Sequence, residues 1–354
     1  KVGWKDSTPV WFPVSFRKYT GGFFRYVNEI DCEDGTLTDQ DLRAMGALGG
    51  LQSLRVGPQV SDAGLSRIGR LTHLRYLDLS GSKVRDLNSF AYCDFRNLLT
   101  LDASGSSITN KGFSRFAGAK VLYWINLDST GITDQGMGAL AECKSLTGLN
   151  LRDTKITDNG LKSLSGLKRI EYLALAWTRI QGKGLRYLQD SVGLIDIELR
   201  RSDCNDDGLA YLDGFPKLRA IQLNGTKVTD KGLAKLQNLP ALEILNLRET
   251  QATIRGLAQL KRSKLLGNVS ISSRKGLDED DYRVLGSFML LKHLRLEVEP
   301  VTIEMVDRLL SFRQKITWLE LPEKTPLLTE EFMKQYHGSR NRRLTTFSIY
   351  DDNF

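Results

Sequence analysis

Four consecutive carboxylates, Asp278-Glu279-Asp280-Asp281, form the densest set of metal-capable groups in the sequence. Hard oxygen ligands of this kind suit a divalent cation. The run lies between Gly276-Leu277 and Tyr282, where a helix is expected to begin, and carboxylates also stabilise a helix N-terminus. The helix reading is preferred, and no metal site is expected. His73, His293 and His337 share no spacing. Cys32, Cys93, Cys143 and Cys204 are far apart and contain no CxxC pair. Neither a zinc site nor a disulfide framework is expected, and four reduced thiols in or near a core are the ordinary reading. No Ser/His/Asp or Cys/His set, P-loop or G-x-G-x-x-G fingerprint is present. The glycosylation triplets at Asn224 and Asn268 are short enough to arise by chance. No catalytic residue and no cofactor is therefore expected.

The chemistry that remains is recognition. Tyr76, Trp124 and Tyr172 are spaced 48 residues apart, with Thr100 and Gly148 midway between them. Trp177, Asn126, Asp128, Asn150, Arg152 and Arg200 fall near them in the same phase. Aromatic anchors with arginine nearby are the usual composition of an interaction hot spot. These residues can share a surface only if a repeat brings them together.

The repeat exists. An L-x-x-L-x-L register recurs fourteen times, at Val27, Leu51, Leu74, Leu98, Leu122, Leu146, Ile170, Leu194, Leu218, Leu242, Leu266, Leu291, Ile316 and Leu344, and from Leu74 to Leu266 every step is 24 residues. A globular chain of 354 residues would usually divide into domains. A repeat array escapes that limit because each unit buries its core against its neighbours. Within Leu146-Thr147-Gly148-Leu149-Asn150-Leu151 the apolar residues alternate as in a short strand. Ile156 then turns back inward, and Thr157-Asp158 can start a helix by accepting from free backbone N–H groups. Leu161, Leu164 and Leu167 follow as one apolar face. Such units stack into an α/β solenoid with a parallel sheet on its concave face and helices on its convex face.

The segments LNLRDTKITDNGLKSLSGL and IQLNGTKVTDKGLAKLQNL resemble the cysteine-containing class of leucine-rich repeats, and ALAECKSLTGLNL carries that class's cysteine at Cys143. The T-D-x-G-L form, and the opening GWKDSTPVWFPVSFRKYTGGFFRYVNEID, are similar to repeat proteins of planctomycete-type bacteria, which are often tethered outside the cytoplasm. The likeness implies a right-handed horseshoe and a bacterial, extracytoplasmic setting, with a cytoplasmic one still open. It implies no catalytic residues. The class also occurs in F-box substrate receptors, but no F-box helices precede the repeats here. In many leucine-rich repeats an Asn after the strand bonds to the adjacent turn. Thr130, Thr154, Thr178, Ser202, Thr226 and Thr250 fill that slot here, and a similar role is expected of their hydroxyls. The slot reads Arg274, Glu299 and Lys324 in the last turns, so the ladder is expected to stop there.

Three segments are expected: an aromatic-rich N-terminal cap over 1–26, regular repeats over 27–265 and irregular repeats over 266–354. The chain opens on Lys1 rather than Met, which leaves a preceding anchor open. No apolar run is long enough to cross a membrane. The formal net charge is +8, but acids outnumber bases at the inferred concave positions, so nucleic acid is not an expected partner. The sequence supports a non-enzymatic, monomeric scaffold that binds another protein on its concave face through Tyr76, Trp124, Asn126, Asp128, Asn150, Arg152, Tyr172, Trp177 and Arg200. Trp124, Tyr172 and Trp177 are expected to face away from the core. The alternatives are a carbohydrate or cell-envelope binding module and an F-box-type substrate receptor.

Overall fold

The computed structural model describes residues 29–30, 37–44, 51–66, 72–87, 95–273, 275–312, 316–322 and 346–350. Its fourteen strands form one parallel sheet in chain order. They are β1 (Glu29–Ile30), β2 (Ser53–Arg55), β3 (Tyr76–Asp78), β4 (Thr100–Asp102), β5 (Trp124–Asn126), β6 (Gly148–Asn150), β7 (Tyr172–Ala174), β8 (Asp196–Glu198), β9 (Ala220–Gln222), β10 (Ile244–Leu247), β11 (Asn268–Ser273), β12 (His293–Val298), β13 (Trp318–Pro322) and β14 (Thr346–Tyr350). Each begins two residues after a position of the apolar register, so the expected sheet is present in its expected phase. The N-terminal segment 1–26, Cys32, Cys93 and His337 lie outside the described residues.

Strand alternation sets the core. Ile125, Leu149, Leu173 and Ile197 are register partners on successive strands, and all are fully buried. Ile156, Leu161, Leu164 and Leu167 close the same turn from the convex side. Leucines three residues apart match a 3-10 helix, which has three residues per turn. Gly160–Leu164, Gly136–Leu140 and Lys183–Leu188 accordingly form 3-10 helices rather than α-helices. α-Helical turns such as Asp230–Leu233 occur elsewhere, and the longest among the described residues, Ile303–Leu310, has eight residues.

The hydroxyl slot works differently from expectation. Thr130, Thr154, Thr178, Ser202, Thr226 and Thr250 donate to the carbonyl three residues earlier in their own turn, at 2.6–2.7 Å. A hydroxyl is shorter than an Asn amide and closes its own turn instead of reaching the next. Where the hydroxyls end, the strands lengthen, and β11 and β12 have six residues each.

The bond between turns comes from the Asp of T-D-x-G-L. Asp134 accepts from the backbone N–H and the hydroxyl of Thr157, 23 residues later, at 2.8 and 2.7 Å. Asp206 does the same with Thr229, and Asp230 with Thr253. Asp39 serves Ser61 in the same way, and Asn110 serves Thr133. The glycine of the motif makes room for this carboxylate: a Cβ on Gly232 would lie 2.4 Å from Asp206 Oδ1. Asp158 reaches three backbone N–H groups, of Gln181, Gly182 and Gly184. Gln181-Gly182 carries no acid in return, so no such carboxylate bond links the turn of β7 to that of β8.

Two sequence expectations concern side chains now placed. Asp278 caps the helix Glu279–Leu285 in a reciprocal capping box with Asp281, while Arg255 pairs with Asp278 at 2.5 Å. Cys143 and Cys204 are free and buried. Desolvation pushes the Cys143 thiol up to about 11 and the Cys204 thiol to about 12, so both stay protonated and unreactive near neutral pH.

Removing the Asp206 carboxylate leaves Thr229 without its acceptor and is expected to cost about 1–3 kcal/mol. Gly232→Ala should cost a similar amount by crowding the same oxygen. Because both changes act on one contact, the double variant Asp206→Ala/Gly232→Ala should lose clearly less than the two singles combined. Urea denaturation measures all three, and strictly additive losses would refute the lock.

Candidate functional site

The aromatic column is real, but its members are not equally available. Trp124, Gly148 and Tyr172 are register partners on β5, β6 and β7. The Trp124 ring lies across Gly148, where a Cβ would come within 2.0 Å of Cε3. It stacks on Tyr172 with ring centroids 5.4 Å apart and planes 22° apart. Trp124 is 1% exposed. The expectation that it stands free on the concave face is therefore corrected: it faces the concave side but is sealed there, because glycine gives the ring a bed and Tyr172 closes over it. Tyr172 is half-buried, and its hydroxyl donates to Glu198 Oε1 at 2.9 Å. Burial first, then Glu198, push this phenol upward. Tyr76 is half-buried two turns from Trp124.

Asn126, Asn150 and Asp128 serve the scaffold more than was expected. The side-chain oxygens of Asp78, Asp102, Asn126, Asn150 and Asn246 accept from the backbone N–H two residues later, at 2.8–3.2 Å. These Asx turns end their strands. Asn126 is buried and also donates to Asp102. Asp128 lies 3.9 Å from Arg152. The pattern is suspended on three consecutive strands, where Ala174, Glu198 and Gln222 take the Asx position. That break in the repeat was readable, and it marks two residues that sequence reasoning missed, Asp196 and Glu198.

Trp177 occupies a second column. The residue just past the strand has positive φ in eight successive turns, at Gly81, Gly105, Ser129, Asp153, Trp177, Arg201, Gly225 and Glu249. Left-handed backbone costs an L-residue roughly 1–2 kcal/mol relative to glycine. Trp177 holds φ at 59° and is 49% exposed. The Arg201 guanidinium lies 4.9 Å from its ring centroid, and Arg201 also pairs with Glu249 at 3.0 Å. Far along the sheet, Trp318 is exposed and stacks on His293 at 5.7 Å, a second aromatic pair that sequence reasoning did not single out.

Between these groups lie the charges of β6 to β8. Ala174 and Ala176 are fully buried on the concave side. Arg152 precedes them by one turn and Arg200 follows by one. The Nε atoms of Arg152 and Arg200, Asp196 Oδ1 and Glu198 Oε2 are all sealed from solvent without a hydrogen-bond partner. Among the described residues, the one ion pair of Arg152 is the long contact to Asp128 at 3.9 Å. Desolvation, then Glu198, push the Asp196 carboxyl up to about 7. Other concave acids are engaged: Asp78 with Arg55, Glu249 with Arg201, and Glu297 with Arg248 and Ser272. Among the described residues, no group of three or more His, Cys, Asp and Glu could hold a metal ion, and no helix is long and apolar enough to cross a membrane.

Trp124→Ala should lose about 3–5 kcal/mol of stability, the cost of emptying a large buried site. Trp177→Gly should be at least as stable as the parent, since relief of left-handed strain outweighs an exposed cation–π contact of about 0.5–1 kcal/mol. Thermal denaturation of both checks the distinction, and equal losses would abolish it. Asp196 carries a raised folded-state pKa, so its contribution to stability falls as pH rises from about 4 through about 7. Asp196→Asn should be more stable than the parent at pH 8, on the order of 2 kcal/mol after allowing for partial exposure. The gap should narrow as pH falls and close near the ordinary carboxylate pKa of about 4. A gap independent of pH would disprove this.

The family described as leucine-rich repeat region matches residues 36–319. An internalin from Listeria monocytogenes is 20% identical with a TM-score of 0.49, covering 80% of this chain and 83% of that one. A leucine-rich-repeat protein from Leptospira interrogans is 14% identical with a TM-score of 0.47, covering 85% of each chain. No curated protein matches the chain. With the repeat register, the fourteen-stranded sheet and a family match over most of its length, the chain belongs to the leucine-rich-repeat family.

Proposed function

We propose that the chain is a non-enzymatic recognition scaffold that binds another protein on the concave face around β6 to β9. The leucine-rich-repeat fold is typical of protein-interaction domains, and solenoids use their concave surface for this purpose. Trp177 carries the reading. It spends backbone strain to hold an indole in water at a slot filled by glycine in three other turns. Strain kept at an exposed aromatic points to function rather than folding. Tyr172, Arg152 and Arg200 complete the surface, and Trp124 supports it from beneath. Asp128 and Asn150 lie at its edge, Asn126 is buried on the adjoining strand, and Tyr76 stands three strands from it on β3. The T-D-x-G-L class is the repeat subclass assigned here, with its Asp as the bond between turns. The longer strands from β11 support a division near residue 266.

A panel of binders selected from a random peptide display library against the whole chain tests the assignment, because such binders settle on the energetic centre of a surface. Trp177→Ala should weaken most of them by about 2 kcal/mol. Lys162→Ala, on the opposite convex side, should leave them unchanged. Binders indifferent to Trp177 would refute the site. Retention of a glycan on an array, with no peptide binder recovered, would favour a carbohydrate ligand instead.

A further inference from the structure

Two guanidinium groups flank Ala176 without a good acceptor. Arg200 makes no side-chain hydrogen bond or ion pair among the described residues, and its Nε is sealed from solvent. The nearest carboxylate oxygen to Arg152 is 3.9 Å away, on Asp128. Leaving such donors unmatched in a partly buried setting is unfavourable. Glu198 stands two residues before Arg200 but is turned toward the Tyr172 hydroxyl at 2.9 Å, and it forms no ion pair with Arg200.

The strands of β6, β7 and β8 are neighbours, so Arg152 and Arg200 start roughly 10 Å apart at two strand spacings. Side chains of that length can close on one ligand atom group between them. Ala174 and Ala176, in β7 and just past it, carry no long side chain to fill the gap. The carboxylates here are poor receptors for a cation. Asp196 is short and its unpartnered oxygen is buried, and Glu198 is tethered by Tyr172. The arginines are long, and the planar fork of a guanidinium matches a carboxylate in two-point contact.

We propose that Arg152 and Arg200 together receive a carboxylate of the bound protein, an Asp or Glu side chain beside the residue that covers Trp177. This rests on the concave face being the protein-binding surface. The arginines are then specificity-determining residues that select an acidic group next to an apolar or aromatic one.

The test uses the whole chain labelled with 15N-arginine and follows the Nε–H resonances of Arg152 and Arg200. The probes are the blocked dipeptide acetyl-Tyr-Glu-amide, its Gln and Lys counterparts, and inorganic phosphate. The Glu probe should shift both resonances saturably, and Arg200→Gln, with an unchanged thermal midpoint, should weaken it at least tenfold. The Gln and Lys probes should shift neither. No saturable response to the Glu probe, or an equal response to Gln or Lys, overturns the proposal. Phosphate binding as tightly as the Glu probe overturns it too, because the site would then be an inorganic-anion site. If the Glu response persists in Trp177→Ala while display-selected binders ignore Trp177, the carboxylate receptor stands and the aromatic anchor falls. If the Glu response is absent while those binders depend on Trp177, the anchor stands and the carboxylate receptor falls.

Discussion

Every turn of this solenoid must be fixed to the next, and much of that task falls to an Asp carboxylate that accepts two bonds from the following repeat. Asp134 with Thr157, Asp206 with Thr229 and Asp230 with Thr253 share one geometry. The contact needs an acid in one turn, a hydroxyl residue at the matching place in the next, and a glycine two residues after the acid in that next turn. Insertion of a single residue would break it. The 24-residue period is therefore held by polar chemistry as well as by leucine packing. Because the period holds, outward residues on successive strands line up in columns, and any recognition surface depends on that alignment.

The sheet was legible because its signal is dense. Fourteen apolar registers set the phase of fourteen strands. The T-D-x-G-L motif was legible as a helix start and not as a bond between turns, since its partner lies 23 residues away in sequence. The fate of Trp124 could not be read from residue 124. It was decided by Gly148, which leaves space for the ring, and by Tyr172, which covers it. An outward position on a strand is not the same as exposure when its neighbour lacks a side chain. The left-handed column was partly written in Gly81, Gly105 and Gly225, which share one phase, although Trp177 does not look like a glycine substitute until they are aligned.

The central strands show where the scaffold's own rules are set aside. Asx residues close β3 to β6 and β10, while β7 to β9 use Ala, Glu and Gln there. The carboxylate bond between turns is missing at Gln181-Gly182 in the same region. Buried atoms without partners on Arg152, Asp196, Glu198 and Arg200 collect there too. Local consistency is the general condition for a stable fold, and departures from it concentrate where a protein does something else.

The left-handed slot at residue 177 has a consequence for how this chain changes over generations. Glycine takes that backbone without strain, and it fills the slot at Gly81, Gly105 and Gly225. A population relieved of the need to bind would accumulate glycine or asparagine at 177, gaining a little stability with each such replacement. On the proposed function, tryptophan persists in that slot only while selection for contact outweighs selection for folding. That proposal makes the residue an indicator of continued use: a lineage that has lost its partner should lose this indole long before it loses the leucines that build the coil.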